Sequence, residues 1–90
     1  MFYNSTEIFN LLNKIKEIKE EGKTVYVVND EEWVDVMDRE ELKKFAIEEL
    51  NCIEECEDEE TFEYLNSLDI EEESTIIEIL EVRFFEIMSF

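Results

Sequence analysis

Ile8, Leu11, Leu12, Ile15 and Ile18 recur at three- and four-residue intervals near the start of the chain. That spacing lays them along one face of a helix. Asn4, Ser5 or Thr6 can cap it, and Glu7 sits in its first turn. Its lysines gather late, and Gly22 stands where a left-handed terminator belongs. The period then changes. Thr24-Val25-Tyr26-Val27-Val28 is β-branched and aromatic, so residues 23–29 predict a strand. A polar, turn-like cluster occupies residues 29–32, and Trp33-Val34-Asp35-Val36-Met37 predicts the second strand of a hairpin.

Asp38 followed by Glu41 makes a capping-box start with Asp in place of Ser or Thr. Leu42, Phe45, Ala46, Leu50 and Ile53 supply the apolar stripe of a helix over residues 39–55. A shorter helix is predicted from near Asp58, burying Phe62, Leu65 and Leu68, with residues 54–60 as a bend or a continuation. Residues 74–90 are ambiguous. The helical set 76, 77, 80, 83, 84, 87 and 88 is apolar at six of seven positions, and the alternating set from 76 to 88 at five of seven. Periodicity leans to helix, whereas the Ile, Val and Phe content leans to strand. A lone hairpin is marginal without a third strand or a packed helix, so the expectation is a C-terminal strand, with helix as the alternative. The whole reads as one α+β domain over residues 1–90: helix, hairpin, helix, helix and terminal strand, with about three antiparallel strands.

Composition supports a folded chain. Of 90 residues, 44% are hydrophobic and 12% aromatic, enough for a thin core despite the charge. With one glycine and no proline there is little room for Gly-rich phosphate loops. No apolar run approaches the roughly 18 residues of a membrane span, and no basic-then-apolar leader is present. A cytoplasmic protein is expected, with no membrane partner. Cys52 and Cys56, four apart, suit reduced thiols rather than a disulfide. The absence of histidine removes Ser–His and Cys–His catalysis and the usual zinc and di-iron ligand sets. An EF-hand register from Asp58 fails, because Phe62 and Glu63 fall at positions 5 and 6, where an oxygen ligand and a glycine are needed. The expectation is a non-enzyme with no catalytic residue, metal or cofactor.

Charge changes the picture most. Residues 1–28 carry four lysines and four glutamates, whereas residues 29–90 carry 23 acids against four bases, so the whole net charge of −19 lies there. Between Lys44 and Arg83 stand 15 carboxylates and no base. Three clusters stand out: Asp30, Glu31 and Glu32 with Asp35; Glu54, Glu55, Glu57, Asp58, Glu59 and Glu60 with Glu63; and Glu71, Glu72 and Glu73. A charge run is ordinarily a solvated face. If residues 54–60 were helical, however, their six acids would stand about 1.75 Å apart along the axis, close to the roughly 1.7 Å per charge of duplex DNA. Like charges at helical spacing cost helix stability, which favours a use for them. Carboxylates can meet the arginines and lysines of a nucleic-acid groove as phosphates do, and Tyr64, set among acids, is a contact candidate. Trp33 and Phe62 suit the core better.

Small size, acidity, an opening helix followed by short strands, and the run Glu55-Cys56-Glu57-Asp58-Glu59-Glu60-Thr61-Phe62 resemble the small phage-encoded anti-CRISPR inhibitors of type II effector nucleases. The resemblance implies an acidic surface that occupies the site reading the protospacer-adjacent motif, in the cytoplasm of a bacterial host. The partner expected is thus a basic nucleic-acid-binding protein, a CRISPR effector nuclease, with no direct nucleic-acid contact, bound by a monomer or homodimer. The alternative is an immunity protein or antitoxin that neutralises a cognate basic nuclease toxin. A third class is an adaptor whose acidity serves only solubility.

Overall fold

Helix α1 (Ser5–Glu20) opens the chain in the computed structural model, which describes residues 5–56 and 58–90. It ends in a Schellman turn. Gly22, at φ 77°, donates to the Lys19 carbonyl at 3.0 Å and Lys23 donates to that of Ile18 at 3.2 Å. The candidate cap Asn4 lies outside the described residues. Strands β1 (Tyr26–Asn29) and β2 (Val34–Met37) form the expected antiparallel hairpin, with Val27 opposite Val36. Helix α2 (Arg39–Cys56) starts on the anticipated capping box. Glu41 N–H donates to Asp38 Oδ1 at 2.9 Å, and Asp38 N–H to Glu41 Oε1 at 3.4 Å. Helix α3 (Glu59–Ser67) follows.

The C-terminal segment is neither of the single elements anticipated but one of each. Helix α4 (Glu73–Val82) is followed by strand β3 (Glu86–Ser89). The β-rich composition pointed to strand throughout, yet Thr75, Ile76, Ile79 and Leu80, at helical spacing, are all buried, and that packing overrides local preference. The switch occurs at Phe84, which adopts φ 68°. β3 then joins the far side of β1, antiparallel, with Val27 opposite Met88, so the sheet order is β2-β1-β3. A pair of backbone hydrogen bonds between Val25 and Phe90 extends that ladder.

Alternation in the strands divides the core in two. Tyr26, Val28 and Met37 join Leu42, Ala46, Ile53, Leu65, Ile76, Ile79, Leu80 and Phe85 in the main core beneath α2, α3 and α4. Trp33, Phe45 and Phe85 form an aromatic cluster in it, with ring centroids 5.0 to 5.9 Å apart. Val25, Val27 and Val36 face the other way, against Leu11, Ile15 and Ile18 of α1. The α1 stripe is narrower than its spacing suggests. Ile18 is buried and Leu11 and Ile15 are half-buried, but Ile8 and Leu12 are exposed.

Candidate partner-binding surface

The placement of the few cations shows where negative charge is left standing. Lys14 pairs with Glu41, Lys16 with Glu20, Lys23 with Glu21 and Asp38, Lys43 with Glu71, and Arg83 with Glu49. Arg39 donates to the Glu71 carbonyl. Among the described residues, none of these ion pairs reaches the acids at 30–35 or 54–63. Two uncompensated patches result.

The first is the corner between α2 and α3. The run is not one helix: α2 stops at Cys56, and Asp58 takes an extended conformation (φ −74°, ψ 155°) as the cap of α3. The charge spacing of a continuous helix therefore does not apply. Thr61 N–H donates to Asp58 Oδ1 at 2.7 Å, and this bond holds the Asp58 carboxyl below its ordinary pKa. Glu59 and Glu60 follow in the first turn of α3, where its dipole favours acids. Helix energetics thus accounts for these three. It does not account for Glu54 and Glu55, which sit in the last turn of α2, with no basic residue there and the dipole against them. Across the corner, Glu54, Glu59 and Glu63 line an open depression of about 440 Å³ around half-buried Phe62. Glu57 lies outside the described residues.

The second patch is the β1–β2 turn. Asp30 N–H donates to the Trp33 carbonyl at 2.9 Å and closes the turn, and the Asp30 carboxylate accepts from Glu31 N–H. Glu31 and Glu32 project into solvent. Asn29, Asp30 and Glu31 share a shallow depression with Phe84 and Glu86. Asp35 is separate from this group. It accepts from Val36 N–H at 2.8 Å and lines another depression with Glu7 and Lys14.

Phe84 is the residue that sequence reasoning missed. Its N–H donates to the Glu81 carbonyl at 2.9 Å and that of Phe85 to Leu80 at 3.1 Å, the same Schellman pattern that ends α1. There the left-handed position is glycine; here it is a phenylalanine, 87% exposed. A left-handed conformation costs a residue with a Cβ about 1–2 kcal/mol. Counting it as one more apolar position in an uninterrupted segment concealed it, since no glycine or asparagine marked the turn.

Two members of the third cluster serve the fold. The Glu71 side chain pairs with Lys43, whose pKa it raises, while Glu72 occupies the N-cap position of α4 without a side-chain capping bond. Glu73 Oε1 accepts from the Tyr26 hydroxyl at 2.9 Å. Burial first, then this bond, raises the Tyr26 pKa. Tyr64 is exposed, and its hydroxyl donates to Glu78 Oε1 at 3.2 Å, which raises its pKa. Cys52 is a half-buried thiol whose pKa burial raises, and Cys56 is an exposed one. Among the described residues no three His, Cys, Asp or Glu side chains are grouped to hold a metal ion, and no helix is long and apolar enough to cross a membrane.

No protein-family model, curated protein or solved structure matches this chain.

Proposed function

We propose that this protein is a non-enzymatic inhibitor that occupies the basic DNA cleft of a bacterial defence nuclease of the CRISPR effector type, its carboxylates standing where phosphates would lie. The carrying observation is the segregation of charge: among the described residues the ion pairs form elsewhere, and none reaches the acids at the α2–α3 corner and the hairpin turn. The scale agrees. A net charge of −19 on a body 42 Å long is one charge per about 2.2 Å, against about 1.7 Å for duplex DNA. The corner acids work against their own helix at Glu54 and Glu55, a cost that a bound arginine or lysine would relieve. Phe84 supplies an exposed ring beside Asp30 and Glu31, suited to stacking on a guanidinium.

The test is competition between the protein and a duplex carrying the recognition motif for a purified type II effector. Replacing Glu54, Glu59, Glu60 and Glu63 by Gln leaves the Asp58 cap in place and should weaken inhibition at least about tenfold, with steep loss in salt for the parent. Inhibition that survives this replacement, or that is indifferent to salt, removes the assignment.

A further inference from the structure

α1 covers only one side of the sheet face it packs on. Its Glu7, Asn10, Leu11 and Lys14 lie beside Val34 and Asp35 of β2, and Lys14 reaches Glu41 at 3.1 Å. On the β3 side of the same face, Met88 and Phe90 are 58% and 59% exposed. β2 and β3 flank β1 and so stand two strand spacings apart, about 9.5 Å. Packed helices run about 8–10 Å apart. The strip that the described residues leave bare is therefore one helix wide.

α1 carries matching apolar residues that its own sheet does not use. Leu12 is two residues from Lys14, about 200° around the helix, and so faces the bare strip together with Ile8. Phe9 is two residues from Leu11 and faces away from the sheet. Ile8, Phe9 and Leu12 are all substantially exposed.

We propose that a second copy of this chain covers the strip, forming a two-fold dimer in which the two α1 helices lie side by side between the two sheets. Ile8 and Leu12 then meet their counterparts on the other α1, and Phe9 meets Met88 and Phe90 of the other copy. Phe9 and Phe90 would each bury roughly 150–250 Å² if fully covered. With the smaller Ile8, Leu12 and Met88, all about half exposed or more, the five expose on the order of 500 Å² of apolar surface. That is near the upper end of the largest patch on an ordinary monomer, about 300–600 Å². With the polar groups around it, the patch approaches the roughly 800 Å² per partner of a stable interface. Charge selects the same face. α1 holds three lysines and three glutamates, and the strip itself carries one acid, exposed Glu86, so two copies meet less repulsion there than over the remaining surface of a chain at −19. A two-fold contact is also self-complementary, as closed dimers require. The strip borders the hairpin-turn patch only at Glu86 and does not touch the α2–α3 corner, and the salt dependence of the two contacts has opposite sign, so the dimer can fail without the inhibitor reading failing.

Sedimentation velocity on the full chain, from low to high micromolar concentration at low and molar salt, tests the proposal. The expected result is a dimer that tightens with salt, because screening removes repulsion while apolar contact persists. This is the opposite sign to binding through the acids. Leu12→Glu combined with Phe90→Glu alters exposed positions and should yield a monomer with unchanged far-ultraviolet circular dichroism. Hydrogen exchange of the parent should slow in α1 and β3 as concentration rises, a measurement that needs no variant. A parent monomeric at every concentration and salt, a dimer that survives the double substitution, or protection confined to other elements overturns it.

Discussion

The two faces of the three-stranded sheet share the same backbone and differ in almost everything else. One is sealed by α2, α3 and α4, with Val28, Leu42, Ala46, Ile53, Ile79 and Leu80 wholly excluded from water. The other rests on α1 alone, with three buried residues and an apolar strip left bare. Two of the helices on the sealed face, α2 and α3, carry the larger group of unmatched acids, the second group standing on the β1–β2 turn, while the helix on the open face is charge-neutral. Most of the stability and the larger acidic patch therefore reside in one half of the molecule. A thick core there tolerates like-charge crowding that a thin one would not, and the open half keeps apolar contact surface.

The sharpest break in this comparison comes from truncating the sealed core. Leu42→Ala or Ile79→Ala should cost about 2–5 kcal/mol in urea unfolding, whereas Leu11→Ala on the open face, already half-exposed, should cost clearly less. Equal losses would show that the faces carry equal weight. Next in size, Phe84→Gly should stabilise the fold by about 1 kcal/mol by relieving the left-handed turn, yet weaken target binding. A gain in stability with no loss of binding would make Phe84 a tolerated strain and nothing more. Raising salt from millimolar to near molar should lift the melting temperature by several degrees as repulsion on the acidic half is screened. A flat response would mean that the acids there do not repel. Asp58→Ala should lower the melting temperature by a few degrees at neutral pH. The Asp58 pKa is lowered in the fold, so its stabilisation is present above the ordinary value of 3.8 and is lost as pH falls through the folded value. The deficit should therefore close in strong acid, and one that persisted there would mean that the cap bond is not its source.

Much of this architecture was legible in residue order because local signals agreed with one another. The Asp38–Glu41 box, Gly22 and the Val-rich hairpin each named an element boundary within a residue or a few. The α1 stripe was over-read, since spacing reports which residues share a helix face but not whether anything covers it. Ile8 and Leu12 show that gap. The segment after Ser74 was under-read for a different reason. Its two elements meet at a turn built on Phe84, a residue type that gives no warning of left-handed backbone. Of the candidate site, the acids were visible in the chain, but the sorting was not. Glu73 is tied to the fold by Tyr26, 47 positions away, which residue order does not announce. Asp58, by contrast, is held by a local cap bond to Thr61, and Glu54, Glu59 and Glu63 share one depression only because the chain turns between α2 and α3.

The strand order has a consequence for how the chain reaches its native state. β1 meets its first neighbour within about ten residues but its second only at Met88, 61 positions beyond Val27. A hairpin alone is marginal, so the nascent chain must hold its central strand half-paired while three helices are synthesised. Completing the sheet therefore requires closing a far longer loop than the hairpin does, the kind of non-local pairing that slows folding. During translation the outer edge of β1 is the segment most in need of a chaperone's shelter.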